Sequence, residues 1–557
     1  MPTWPSEPAA RVRLVDGVVD GVVDGVVDVV VVGAGPAGLA AATAAADGGA
    51  TVVLLDAEQR PGGQYWRHGP HGVGRFHHDT DTWSGLALGL ARGVRAGRLE
   101  HRAGHRVWRV EAAGVSTATT TAGAGPSTIH AVRTTPDGEE PVTLRARALV
   151  LAPGAHDRVL PFPGWDLPGV LTAGGAQALL KEHGVVVGDR VVVGGTGPFL
   201  LPVAAGLAEA GARVVEVCEA GDGRGWLRGW RSVAAAPGKA AEGARYVSVL
   251  ARHRVPVRAR TAVVEAHGTG RVEAVTLARL DPDWHVVAGS RRRVACDAVA
   301  VGWGFLPRLD LPVQAGCALA PGPDGTPVVV VDEHGRTSVA GVLAAGAATG
   351  VGGADLAVEE GRAAGVAAAA QALALGASAG PGSTGSTAAN GVRRLPPPAA
   401  ARRIGRLRAF AATMHGAHPV RDGWRSWLAA DTVVCRCEEV PLSRLLAAVD
   451  DLGATDARTA KLLSRCGMGW CQGRMCAEAV SRLVAARTGT ADPGRALVTD
   501  LAAAAGRPLA APLTLRTLAT GADLCAPAVP AVPAVPAPAA VPAVLAQTPT
   551  PTGGSDV

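Results

Sequence analysis

One stretch constrains the fold of this chain more than any other. Four valines, Val29 to Val32, run into Gly33-Ala34-Gly35-Pro36-Ala37-Gly38, an alanine-rich segment to Ala46, and then Val52-Val53-Leu54-Leu55-Asp56. The apolar runs are too short for helices and read as buried strands, and the alanine-rich segment between them reads as a helix. Glycine is required where the chain turns, where backbone must approach a pyrophosphate, and where helix touches strand. The helix start offers free amides and partial positive charge to phosphates, and an acid closing the second strand accepts a ribose hydroxyl. The pattern predicts a dinucleotide site built by Gly33, Ala34, Gly35, Pro36, Ala37 and Gly38, with Asp56 and Ala57 at the ribose.

A chain of 557 residues exceeds one hydrophobic core, so several domains follow. Only 3 % of residues are aromatic. The cores are therefore expected to be small-aliphatic α/β packing. The net charge of +6 comes from scattered arginines. The nearest thing to a basic block, Arg291 to Arg293, reads as a solvated turn, which argues against nucleic-acid binding. The longest apolar run is interrupted by Gly33, Gly35, Pro36 and Gly38, which excludes it as a spanning helix. The first residues lack the order of a signal peptide, so a cytoplasmic protein is expected, with peripheral contact at the inner membrane through its electron acceptor as an option. Nine cysteines in such a chain argue against a disulfide framework.

A second glycine turn at Gly195 and a closing segment near Gly346 suggest one domain inserted into another. The expected division is a low-complexity tail at 1–27, a first nucleotide domain at 28–160, and an inserted NAD(P)-like domain at 161–300. The first domain then returns at 301–375, followed by a linker at 376–430, a cysteine-rich unit at 431–490, and an extension at 491–557 ending in a disordered Pro/Ala-rich run. At the second turn, Gly195 and Gly197 are present but Leu200 replaces the third glycine. That leucine should push the helix off its strand and narrow the phosphate approach. Glu219 ends the next strand and disfavours a 2′-phosphate. The site is left open between NAD(P), another nucleotide, and a retained scaffold.

Five of the nine cysteines fall between Cys435 and Cys476. Two cysteine pairs on two turns suit an iron-sulfur cluster, since each iron takes two thiolates; structural zinc is the alternative. Cys466, Cys471 and Cys476 are equally spaced, so spacing alone does not choose the ligands. Gly467, Gly469 and Gly473 let backbone approach sulfide, and Arg465 and Arg474 are candidates to offset thiolate charge. No Cys-x-x-Cys pair exists, which argues against a thioredoxin-type relay. Cys218, Cys296, Cys317 and Cys525 read as ordinary residues, and His105 and His156 as lone histidines.

Beyond the glycine fingerprint, Pro61-Gly62-Gly63-Gln64, Leu149 to Ala155 with Gly154, and Thr337 through Gly341 to Gly346 resemble successive FAD contacts of two-dinucleotide-domain flavoprotein reductases. The match departs at Ala347, where that family usually carries an aspartate, and continues through Glu360-Gly361. The run Val434-Cys435-Arg436-Cys437 with Cys466 to Cys476 is similar to the bacterioferritin-associated-ferredoxin-like 2Fe-2S domain. That resemblance implies Cys435, Cys437, Cys471 and Cys476 as ligands, without Cys466. Ala155 to Gln177 and Gly302 to Pro307 are similar to the A (alpha) subunits of opine oxidases, dye-linked L-proline dehydrogenases, hydrogen cyanide synthase (its B chain) and, in part, sarcosine oxidase (its alpha chain).

The implied fold is α/β, with two nested Rossmann-like domains plus a small helical 2Fe-2S domain. The implied role is an FAD- and 2Fe-2S-containing electron-transfer subunit. Its partner would be a D-amino-acid-oxidase-like flavoprotein that oxidises the C–N bond of an amino acid, opine or amine and passes electrons to a downstream acceptor. A self-sufficient NAD(P)H-dependent reductase and a scaffold that has lost its flavin are the alternatives.

Overall fold

The computed structural model describes residues 18–19, 22–113, 125–378 and 398–520. Its first sheet has Val22–Val32 near the centre. One side carries Val52–Leu55 and Leu99–Arg102, and the other carries Gly138–Leu151, Ser127–Thr135 and His105–Glu111. The pairing of Val22–Val32 with Val52–Leu55 and with Gly138–Leu151 is parallel. The late strand Val342–Ala344 joins Gly138–Leu151, also in parallel. Val29, Val31, Leu54 and Leu149 are fully buried, as strands covered on both faces must be.

The helices Pro36–Asp47 and Ala354–Ser378 cross at their small residues. A Cβ on Gly361 would stand 2.1 Å from the Ala37 carbonyl oxygen, and one on Gly365 would stand 2.2 Å from that of Ala41. With so few aromatics, close backbone approach stands in for large side chains in filling this layer.

A second sheet comes from the stretch between these pieces. It is parallel, in the order Val257–Ala259, Arg213–Glu219, Arg190–Gly195, Ala298–Gly302, Val170–Thr172. A three-stranded antiparallel sheet, Thr261–His267, Ala274–Arg279 and Arg292–Ala295, packs beside it. The two nucleotide-type units are joined by a short antiparallel pair, Ala155–Asp157 with Phe305–Pro307.

The cysteine-bearing segment begins with a two-strand turn, Val433–Cys435 and Val440–Pro441, followed by helices Leu442–Asp450, Ala457–Ser464 and Ala477–Thr488. Its apolar face shares one core with the inserted unit through Trp284, Trp303, Trp424 and Trp427. The Trp427 indole N–H donates to the Trp284 carbonyl at 2.9 Å. Arg158, buried at the crossover, donates to Asp324 at 2.7 Å and to Glu478 at 2.8 Å, tying both nucleotide-type pieces to the cysteine segment. Removing one partner would strand a buried charge, at a cost of about 3–5 kcal/mol.

Two expectations are corrected. The strand reaches back to Val22, into the segment read as tail, because the Val-Val-Asp-Gly repeat pairs with Thr143, Arg145 and Ala146, across a register break between Val22 and Val26, and buries Val27. The segment read as linker holds the helix Pro398–Ala417, which seats Ile404 against Leu356 and Ala363 and pairs Arg408 with Glu360 at 2.9 Å. The extension carries the helix Pro493–Ala505, with Leu497 and Val498 buried, and Leu515–Thr520 beyond it. The glycine- and proline-rich part of the linker, the Pro/Ala run and Cys525 lie outside the described residues. No helix among the described residues is long and apolar enough to cross a membrane.

Candidate functional site

The first glycine turn is held open by its own geometry. Gly33 has φ +98°, and a Cβ on it would sit 2.3 Å from the Ala152 carbonyl oxygen. Gly38 is tighter, since a Cβ there would come within 1.7 Å of the Gly33 carbonyl oxygen. Gly35 precedes the helix at Pro36 and no side chain caps it, so the first amides face the turn without an internal acceptor. Ala34, Pro36 and Ala37 lie within this turn. Gly63, at φ +57°, abuts Gly35, where a Cβ would meet the Gly35 Cα at 2.7 Å. The turns 33–38 and 61–64 thus meet backbone to backbone.

Asp56 is buried beside them. One carboxylate oxygen accepts from the Glu58 amide at 3.2 Å, while Oδ2 has no partner. Burial pushes its pKa up to about 6. A buried acceptor without a donor is rare and asks for one, and a ribose hydroxyl is such a donor. Ala57 and Gln64 are exposed, with the Gln64 side-chain oxygen accepting from Arg67 at 3.2 Å. Gly154 follows the strand Gly138–Leu151 at φ +78°, with free space where a side chain would stand.

The closing segment completes this wall. Gly346, at φ +76°, lies against Ala37, and its amide donates to Glu360 at 3.1 Å. The Thr349 hydroxyl donates to the same Glu360 oxygen at 2.9 Å, and Arg408 holds the other. Ala347 offers no polar group at the position where an aspartate is usual; Glu360 fixes the turn from behind. Arg408 was missed from sequence because it lies in the segment read as linker.

The second turn is built differently. Gly195 has φ +137°, and a Cβ on it would lie 1.8 Å from the Gly302 carbonyl oxygen. Leu200 is 1 % exposed, and its helix runs Leu200–Glu209. That helix starts five residues after Gly195, whereas the first starts three residues after Gly33. Glu219 accepts from the Thr196 hydroxyl at 2.7 Å, the Gly197 amide at 2.9 Å and the Gly221 amide at 2.8 Å. His418, just past the helix Pro398–Ala417, stands 3.5 Å away and accepts from the Trp226 indole N–H at 2.9 Å. Burial alone would raise the Glu219 carboxyl, but His418 and these donors hold it below the usual range. The acid is fully partnered within the chain.

The cysteines converge. Helix Ala457–Ser464 is capped by Asp456, which accepts from the Thr459 amide at 2.8 Å, and ends at Arg465 in the left-handed region, φ +70°. The following loop carries Cys466, Cys471 and Cys476 back toward Cys435 and Cys437. The sulfurs of Cys435, Cys466 and Cys476 are buried and lie within 4.8 Å of one another. Cys437 is exposed and lies near the partly exposed Cys471. The Gly467 amide donates to Cys435 Sγ at 3.3 Å. Donors from Cys466 and Cys476 bring the Cys435 thiol down to about 2, while Cys466 and Cys476 are pushed up in consequence. A Cβ on Gly469 would be 2.3 Å from that of Cys437, so only glycine lets the two strands of chain approach.

Two of the four expected ligands, Cys435 and Cys476, are brought together with Cys466, which the resemblance left out, while the expected Cys437 and Cys471 lie outside this buried group. Of the two arginines proposed for charge balance, Arg465 pairs with Glu438 at 2.9 Å and Arg474 with Asp310 at 3.2 Å. Arg507, from the extension, lies beside Cys471 and Cys476 with Nη1 buried and unpartnered. Burial lowers its pKa, as it does that of Lys461, which also neighbours Cys476. These thiols, amides and unpaired cationic donors fit an anionic iron-sulfur cluster. No spacing signal pointed to Arg507. Trp470, 83 % exposed, marks the open edge of this cluster of thiols.

Among known proteins, the family model for pyridine nucleotide-disulphide oxidoreductases matches residues 27–372. The A chain of opine oxidase from Agrobacterium tumefaciens (strain Ach5) is 32 % identical over 470 residues, 83 % of this chain and 86 % of that one. The HcnB subunit of hydrogen cyanide synthase from Pseudomonas aeruginosa is 32 % identical over 471 residues, 84 % of this chain and 94 % of that one. The crystal structure of L-proline dehydrogenase from P. horikoshii superposes with a TM-score of 0.59 at 20 % identity, covering 90 % of this chain and 81 % of that one. That likeness shows a shared fold.

Proposed function

Because the chain belongs to the pyridine nucleotide-disulphide oxidoreductase family and aligns over most of its length with the opine oxidase A chain, it is a flavoprotein oxidoreductase, and we propose that it is the electron-transfer subunit of a heteromeric enzyme. In this reading FAD lies on the first glycine turn and a 2Fe-2S cluster on Cys435, Cys437, Cys471 and Cys476. A D-amino-acid-oxidase-like partner oxidises the C–N bond of an amino acid, opine or related amine. The convergence of thiols from both ends of the 435–476 segment, beside an unpartnered Arg507, carries it.

Each residue has a task in it. Amides at the start of helix Pro36–Asp47 bind pyrophosphate, and Asp56 Oδ2 accepts from ribose. Glu360 and Thr349 hold the turn at Gly346 still. Gly467 donates toward sulfur, while Arg507 and Lys461 balance negative charge. The flavin would supply two-electron exchange and the cluster one-electron exchange. Cys437 and Trp470, on the exposed edge, face the side open to an acceptor. A cytoplasmic complex that delivers electrons at the inner membrane fits this arrangement.

The internally bonded Glu219 and the late-starting helix at the second turn weigh against a self-sufficient NAD(P)H reductase. The test is affinity purification of the full chain from its source cells, followed by visible and EPR spectra. The expected result is a second flavoprotein chain, a flavin spectrum, and a reduced-state signal from the cluster. A chain that purifies alone and oxidises amino acids at full rate with a dye would overturn the partner role, and bleaching of its flavin by stoichiometric NADH would favour the reductase.

A further inference from the structure

Five cysteines meet where a 2Fe-2S cluster needs four. They form two groups of unlike setting. Cys437 and Cys471 make a pair at the rim, one exposed and one partly so. Cys435, Cys466 and Cys476 make a buried triad within 4.8 Å. Two thiolates on one tetrahedral metal lie roughly 3.8 Å apart when metal–sulfur bonds are about 2.3 Å. Each edge of the triad is within reach of that span after a small side-chain rotation. A two-iron cluster takes two thiolates per iron. The rim pair serves one iron, and the triad then has one thiol more than the other iron requires.

The backbone holds Cys466 in this place. Arg465 turns left-handed directly before it, and the Cys466 amide donates to Ser464 Oγ at 3.2 Å. Gly467 follows at φ +88°, and a Cβ on it would lie 3.7 Å from Cys476 Sγ. A continued helix would have carried Cys466 away; the left-handed stop turns it toward Cys435 and Cys476.

We propose that Cys466 is a spare ligand of the inner iron, able to replace Cys435 or Cys476. This rests on the cluster reading given above. In the exchange, the iron–sulfur bond to the departing residue breaks with its electron pair on that sulfur, Cys466 Sγ bonds the iron in its place, and the Cys466 thiol proton passes to the departing thiolate. No electrons are gained or lost. The rim has no such reserve, since the third triad sulfur belongs to the buried group. Loss of an inner ligand is therefore tolerated where loss of a rim ligand is not.

The experiment uses the full chain, expressed anaerobically with ample iron, with its flavin spectrum as the check on folding. Iron, acid-labile sulfide and the EPR spectrum of the dithionite-reduced protein are measured for the natural sequence and for Cys466→Ala, Cys476→Ala, Cys435→Ala, Cys437→Ala and Cys466→Ala/Cys476→Ala. Cys466→Ala should keep its cluster with an unchanged spectrum. Cys476→Ala and Cys435→Ala should keep iron and sulfide but show shifted g values, and Cys437→Ala and the double variant should lose both. Should Cys476→Ala and Cys435→Ala, still folded, lose the cluster as completely as the double variant, the spare ligand is wrong. Loss on Cys466→Ala alone would equally overturn it, by making Cys466 an obligatory ligand. An iron-free natural protein would sink the cluster reading itself, a distinct outcome.

Discussion

The same motif occurs twice in this molecule and is used in opposite ways. At the first turn the third glycine is present, the helix begins three residues after Gly33, and the acid at the strand end keeps Oδ2 without a partner. At the second, Leu200 stands in for that glycine, the helix begins five residues after Gly195, and Glu219 takes up the Thr196 hydroxyl and Gly197 amide itself. One turn is left waiting for an external partner, while the other has found its partners within the chain. A strand, turn and helix by themselves do not fix what a turn offers a ligand; that depends on whether its polar groups are already satisfied.

The largest test of this contrast is Gly38→Val. A side chain there collides with the Gly33 carbonyl, and strain of ~3 kcal/mol would weaken flavin binding on the order of 100-fold. The purified variant should be colourless by visible absorption; a fully yellow one would break the assignment of this turn. Asp56→Ala removes one hydrogen bond to a charged acceptor, about 1.5–3 kcal/mol, so flavin dissociation measured by fluorescence should be roughly tenfold or more weaker.

At the other turn, Glu219→Ala frees the Thr196 hydroxyl and Gly197 amide for an anion. Titration calorimetry with ADP should then show a gain of about tenfold, the equivalent of ~1.4 kcal/mol. Unchanged affinity would mean that Glu219 does not block the turn.

The smallest expected effect is on pH dependence, and the two acids differ in sign. Asp56 has a folded-state pKa raised by burial to about 6, so the folded chain holds its proton more tightly than the unfolded chain does. Its contribution to stability is present below about 4 and is lost as pH rises through about 6. A ribose hydroxyl favours the carboxylate, so flavin retention should tighten over that same rise. Glu219 is lowered, so its contribution is present above its unfolded pKa and falls away in acid. Flavin release and unfolding followed separately between pH 4 and 7 would resolve the two; flavin retention that slackens as pH rises would contradict the role of Asp56.

Much of this was legible in the sequence because it is local. Val29 to Val32, the three glycines and Asp56 follow one another along the chain, and each has a stereochemical reason to be there. Leu200, which stands where the third glycine belongs, is itself the first residue of the second helix. The residues that were missed are distant in sequence and polar in type. Arg408 lies in a segment that composition marks as linker, yet it reaches Glu360. Arg507 lies in the extension, yet it stands beside Cys471 and Cys476. The Val-Val-Asp-Gly repeat lacks an alternating apolar face, and it is strand because Gly138–Leu151 and the short strand Val18–Val19 offer it ladders.

The sequence by itself determined the two strand–turn–helix units and the crowding of cysteines, since spacing and residue type act over a few neighbours. Only the tertiary structure decided which acid is left unpartnered, which cations approach the thiols, and that Cys466 shares a buried triad with Cys435 and Cys476. Those outcomes depend on elements remote along the chain meeting in space, and the energy of a buried polar group is set by whatever it meets there.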